Sequence, residues 1–279
     1  MKRLLVLALV LVFTLTNVGC GSIMGQLRKI ADEQNQEDSS TTTEAETTES
    51  TEEVTEATDT EESEDDVKPT QELVVEGAPL IHDFELSGDL SDSITPGTEL
   101  VIHPNTGNNR FIDGVWQWTA DQHPGGGLIL LTDQISNPEN YSIGFRIKFN
   151  DVGPSWKKIL SFREESVDGG LYFSDGKLQL YPFNVDENIT YSANTFYDFI
   201  LSREANKMMT VYVVQDDGSI TKVYEEQDLR DESVPVLVDG KYQFMFFTDD
   251  YSTTAEWTTG GSVDSIRLWN GSIDEVRFD

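Results

Sequence analysis

What most constrains this chain is apolar alternation in short runs broken by glycine turns. Residues 262–279, SVDSIRLWNGSIDEVRFD, show it at the end of the chain. Val263, Ile266 and Leu268, then Ile273, Val276 and Phe278, supply the apolar positions. Asn270-Gly271 lies between them, a dipeptide that suits two-residue hairpins because both turn residues need positive φ. The reading is two strands paired through that turn. Tyr141, Ile143, Phe145, Ile147 and Phe149 alternate with Ser142, Gly144, Arg146 and Lys148, so one face meets a core and the other water. Further strands are predicted over 80–86, around Trp116 and Trp118, and over 128–131 and 156–162. A hairpin over 171–183 turns at Asp175-Gly176. Strands 196–203 and 208–214 pair, Asp217-Gly218 leads into 220–224, and 242–247 is a last buried run. No stretch carries a helical period. The pattern predicts an all-β domain over 71–279, a two-sheet antiparallel jelly-roll sandwich with no internal boundary.

The N-terminal quarter follows different rules. Met1-Lys2-Arg3 is basic, and residues 4–15 are apolar apart from Thr14. That run is too short to span a bilayer, which takes about 20 residues of helix; it has the form of a secretory leader. Residues 32–66 carry 16 Asp and Glu and no Lys or Arg, among Thr and Ser and without an aromatic. Such a segment has too little to bury to offset the entropy of ordering, and its like charges extend it. Residues 20–70 are therefore expected to form a disordered acidic tether, whose Ser and Thr also permit glycosylation. The acidity does not stop there: from residue 67 onward 35 acids face 15 bases. A net charge of −32 argues against nucleic acid and against an anionic membrane surface as partners, since both need clustered Lys and Arg. It is compatible with cations, with neutral sugars or simply with solubility. The single cysteine, Cys20, excludes an internal disulfide.

Two resemblances sharpen this reading. Val18-Gly19-Cys20 after the apolar run resembles a bacterial lipoprotein signal, which implies removal of residues 1–19 and lipid attachment at Cys20. The chain would then be held by that anchor alone at the extracytoplasmic face of the cell membrane, two acyl signals sufficing for stable anchoring. The second resemblance covers residues 80–278. An aromatic strand is followed by Gly88-Asp89-Leu90-Ser91-Asp92-Ser93, then by the F-x-x-G-V run from Phe111 to Val115. Phe246-Phe247-Thr248-Asp249-Asp250-Tyr251, Glu256 and the closing Ile273-Asp274-Glu275-Val276-Arg277-Phe278 complete it. In that order they are similar to laminin-G-like domains of the concanavalin-A-like jelly rolls, as carried by bacterial surface proteins. The resemblance implies binding to glycan or to a cell-surface protein.

Catalysis finds little support in the residues. Retaining glucanases of this fold carry E-x-D-x-x-E on a strand, where two carboxylates sit about 5–5.5 Å apart. The nearest run here, from Glu226 to Asp231, ends in the shorter Asp and reads as a solvated turn. His82, His103 and His123 are scattered, no G-x-S-x-G elbow occurs, and no zinc spacing is present. Calcium suits the acidic loops better, being a hard ion that wants six to eight oxygens. Asp249, Asp250 and Glu256 are the candidate ligands, with Glu85 and Asp274 as an alternative pair. For a sugar, Trp257 in YSTTAEWTTGG offers a ring face, with Tyr251, Asp249 and Glu256 beside it. Trp116, Trp118, Trp156 and Trp269 read as core aromatics.

Overall fold

A computed structural model describes residues 73–120, 123–153, 155–165, 167–182, 189–214, 219–253, 259–273 and 275–278. Every regular element among them is a strand. They are β1 (Leu73–Glu76), β2 (Leu80–Glu85), β3 (Val101–Ile102), β4 (Asn109–Ile112), β5 (Val115–Thr119) and β6 (Leu128–Thr132). Then come β7 (Tyr141–Phe149), β8 (Lys157–Ser161), β9 (Gly170–Ser174), β10 (Lys177–Tyr181), β11 (Tyr197–Arg203) and β12 (Met208–Val214). The last five are β13 (Ile220–Gln227), β14 (Val236–Val238), β15 (Lys241–Phe246), β16 (Gly260–Trp269) and β17 (Glu275–Phe278).

Two antiparallel sheets form the sandwich that the alternation predicts. One runs β10-β9-β8-β15-β6-β3, with β14 added on β15; the other runs β13-β12-β11-β7-β16-β5-β4, with β2 added on β16. The alternating strand β7 lies near the middle of the second sheet and turns Tyr141, Ile143, Phe145, Ile147 and Phe149 inward, all buried. Aromatic rings close the gap between the layers. Tyr141 meets Phe244 edge-on at 5.3 Å and Phe145 meets Phe246 at 6.1 Å. Phe149 meets Phe173 at 5.1 Å, and Trp116 stacks on Trp118, which stacks on Phe247 at 4.2 Å. Edge-on and offset pairs of this kind add to the stabilisation from buried area.

Two expectations about local structure need correcting. β16 and β17 are not a hairpin: β16 is flanked by β2, β5 and β7, and β17 pairs with β1 in a separate two-stranded sheet. The reason lies in what Asn270 does. Its N–H donates to Pro79 O, and its Oδ1 accepts from both the N–H and the hydroxyl of Ser136, so the chain leaves the sheet there instead of turning back. The run from Glu226 to Asp231 does turn at Leu229-Arg230, with Leu229 71% exposed, but it is not solvated throughout, because Asp228 is buried. It accepts from the Ser233 N–H at 2.9 Å and lies 3.8 Å from Arg203, which is fully buried on β11. The Asp175-Gly176 turn is as expected: Ser174 pairs with Lys177, and both turn residues have positive φ (53° and 70°). Cys20, the leader and the tether lie outside the described residues, as do Asp217-Gly218.

Candidate functional site

On β9 the sequence Leu171-Tyr172-Phe173 sends Leu171 and Phe173 into the core, so Tyr172 must point out of the sandwich. On β10 the same alternation buries Leu178 and Leu180 and turns Tyr181 outward, while Lys158 faces Tyr172 across the β8–β9 pair. Trp156, one residue before β8, completes a group. Its ring stands edge-on to Tyr172 at 5.6 Å and to Tyr181 at 5.9 Å, and the two tyrosines meet at 6.4 Å. Tyr172 is buried beneath, and Trp156 and Tyr181 are half-buried above it. Trp156 is therefore not a core residue, as its place in an apolar run implied. Trp116 and Trp118 are. Trp269 is buried too, but it lies over Gly144, where an added Cβ would come within 3.0 Å of its ring.

Charge gathers behind this aromatic group. The Tyr172 hydroxyl lies 3.2 Å from Asp168 Oδ1 and 3.3 Å from Asp249 Oδ1. Lys158 Nζ lies 3.1 Å from Asp249 Oδ1, 3.9 Å from Asp250 Oδ2 and 4.9 Å from the centre of the Tyr172 ring. Burial pushes Asp249 up to about 6, although Lys158 and the Asp250 N–H oppose it. Asp250 goes the other way: burial raises it, but the Ser252 hydroxyl and N–H and Lys158 outweigh that and hold it below the usual carboxylate range. Burial, together with the charges of Asp249 and Asp168, pushes the Tyr172 hydroxyl far up, so it stays a proton donor. Asp249 Oδ2, Thr248 Oγ1 and Thr253 Oγ1 are buried with no hydrogen-bond partner among the described residues, a cluster of unmet capacity unusual in a folded protein.

Backbone bonds fix the loop that carries these carboxylates. The Asp249 N–H donates to Pro124 O and the Tyr251 N–H to Glu165 O, while His103 Nε2 lies 2.7 Å from Glu165 Oε1. Tyr251 is 57% exposed, with its ring edge-on to His123 at 6.0 Å. Of the ligand residues expected from sequence, Tyr251 is thus available at the surface, and Asp249 is buried behind Tyr172 instead of standing at an open rim. Glu256 and Trp257 lie outside the described residues.

The calcium ligands do not assemble as expected. Asp249 and Asp250 are both fully buried and share the Lys158 ammonium, which takes the cation's place between them. Among the described residues no three carboxylate, His or Cys side chains converge as a metal site. Glu85 is largely exposed and lies 3.6 Å from Arg267, and its expected companion Asp274 is outside the described residues. Sequence reading missed Trp156, Tyr172 and Tyr181, though a signal was present: Tyr172 and Tyr181 fall out of phase with the apolar residues of their own strands.

No family model and no curated protein matches the chain. Solved structures do. Domain 4 of AbnA, an extracellular GH43 arabinanase from Geobacillus stearothermophilus, solved with arabinotriose, matches with a TM-score of 0.50 at 15% identity; the match covers 71% of this chain and 96% of that one. The chain shares this β-sandwich. The Trypanosoma rangeli sialidase, solved with sialic acid, matches at 0.51 and 13% identity over 70% of this chain, and botulinum neurotoxin type C, described with two ganglioside molecules, at 0.50 and 11% over 70%. The chain spans 31% and 48% of the lengths of those two proteins. At these identities the likeness is one of fold.

Proposed function

We propose that this chain is a lipid-anchored, laminin-G-like surface module that binds glycan and does not cleave it. The observation that carries the reading is the trio of Trp156, Tyr172 and Tyr181. Two half-buried rings stand on a third, whose hydroxyl is shared between Asp168 and Asp249. Ring faces take the C–H face of a pyranose, and carboxylates take its hydroxyls. The shared sandwich with carbohydrate-complexed domains supports the same class of ligand. Cys20 would hold the module at the membrane, and the acidic segment would set its distance. Against hydrolysis, Asp228 in the only run resembling a glucanase motif is engaged by Ser233 and Arg203.

The test is isothermal titration of the chain against a panel of cell-wall and plant oligosaccharides. We expect at least one to bind, and Trp156→Ala to weaken it about tenfold or more while Trp257→Ala has the smaller effect; stacking on one ring is worth about 1–1.5 kcal/mol or more in a site that excludes water. Binding lost in Trp257→Ala and kept in Trp156→Ala would move the site to the 251–261 loop. Release of reducing ends from any panel member would overturn the non-catalytic reading.

A further inference from the structure

The aromatic site has a charge as well as a shape, and the charge selects among glycans. Around Tyr172 stand Asp168, Asp249 and Asp250, with Glu232 near Gly169, the residue preceding β9. The cations nearby are already engaged. Lys158 is 1% exposed and held by Asp249 and Asp250, while Lys157 is buried against Asp151 and Ser155. Arg163 donates to Asp231 O. Asp249 Oδ2 remains a buried acceptor without a hydrogen-bond partner among the described residues, and its sister oxygen is the one beside the Tyr172 hydroxyl. Among the described residues, a ligand here meets acceptors and negative charge, and Lys157 and Lys158 are held by the protein's own oxygens.

Building on the glycan reading above, we infer that the site discriminates by charge: it takes amine-bearing sugars of the glucosamine type first, neutral sugars second, and rejects uronic, sialic and sulfated ones. A protonated amine gains a charge-assisted hydrogen bond to the partly exposed Asp168, roughly twice as strong as a neutral one, with the buried Asp249 behind it. A carboxylate or sulfate in the same place loses its hydration and gains like-charge repulsion. Trp156 and Tyr181 bind any pyranose face alike, so they supply affinity and the carboxylates supply the choice. The domain's overall acidity gives every cationic polymer a diffuse attraction, and the experiment must separate that from the site.

The experiment titrates the full chain with three oligomers of equal length: glucosamine, N-acetylglucosamine and galacturonic acid. Ionic strength is fixed and the pH is near neutral. We expect the glucosamine oligomer to bind about tenfold tighter than its acetylated counterpart and the galacturonate oligomer not to bind. Asp168→Asn should erase the amine preference while keeping the neutral oligomer bound, and Trp156→Ala should weaken both. Tyr181→Ala serves as a second aromatic variant, and thermal unfolding confirms that each variant folds. Equal binding of the galacturonate oligomer overturns the inference. So does an amine preference that survives Asp168→Asn, which would make it a property of net charge. If the acetylated oligomer binds through Trp156 with no preference for amine, glycan binding stands and the charge rule falls. If none of the three binds, the charge rule falls, and the glycan reading falls with it only if the wider panel above also fails to bind.

Discussion

Asp249 shows how one side chain can be read in sequence and still be misplaced. Two adjacent aspartates before a Tyr-Ser-Thr-Thr loop have the composition of an exposed acidic rim, but the loop's N–H groups are tied to Pro124 and Glu165 and draw both carboxylates inside. Nothing in the local run signals this, since the bonds come from segments more than 80 residues away in the chain. The consequence is testable through pH. The folded-state value of about 6 lies above the ordinary 3.8, so the folded protein holds this proton more tightly than the unfolded chain does. Its contribution is full below pH 3.8 and is lost as pH rises through about 6. Asp92 has the opposite sign: burial raises it, but the N–H groups of Asp83 and Ile94 and the buried His82 outweigh that and hold it low. Its contribution is lost as pH falls. Asp249→Asn should therefore flatten the fall in unfolding free energy between about pH 4 and pH 6 and leave the acid limb in place, as urea titrations across that range will show. An unchanged slope would mean that Lys158 keeps Asp249 ionised throughout.

At the scale of elements, alternation made most strands legible, and it failed where strand order is decided far from the strand. The runs over 141–149, 208–214 and the Asp175-Gly176 hairpin could be placed from their own residues. The partners of β16 could not, because a ten-residue strand that is apolar along one face fits the middle of a sheet as well as a hairpin, and Asn270 settles it through Ser136 and Pro79. The aromatic site depends on an equally remote fit. Tyr172 faces Lys158 in a β8–β9 pair whose register shifts between Lys158 and Leu160, and Gly170 packs against Leu160 just past that irregularity. A Cβ on Gly170 would lie 2.3 Å from Leu160 O, at a φ of +143° that other residues rarely adopt. Gly170→Ala should cost about 1–3 kcal/mol for the backbone conformation alone, and more for the displaced β8. It should weaken ligand binding beyond its effect on stability. Gly88, with nothing within 4 Å of its Cβ position, is the control, and its alanine variant should stay within about 0.5 kcal/mol of the parent by urea midpoint.

For the molecule as a whole, charge is the dominant quantity, and two effects of salt oppose each other. The sheet surface carries ion pairs that salt weakens. Arg146 lies 2.5 Å from Asp198, Arg267 lies 3.0 Å from Asp83, and Lys207 lies 2.8 Å from Asp231. All are partly exposed, and such pairs contribute about 0–1 kcal/mol each. Against them stands the mutual repulsion of the 35 acids and 15 bases that follow residue 66, an excess no set of local pairs can cancel. Repulsion acts over many tens of charge pairs at longer range, and raising ionic strength from about 0.01 M to about 1 M cuts the screening length from roughly 30 Å to 3 Å. Repulsion wins this comparison, because its terms are numerous and the ion pairs are few and solvated. The melting temperature should therefore rise steadily with sodium chloride over that range, by a few degrees. The buried pairs Lys158–Asp249 and Arg203–Asp228 should hardly respond, being shielded from the ions. Unfolding followed by calorimetry at four salt concentrations decides it. A melting temperature that falls with salt would assign the surface ion pairs a larger share of the stability than their exposure allows.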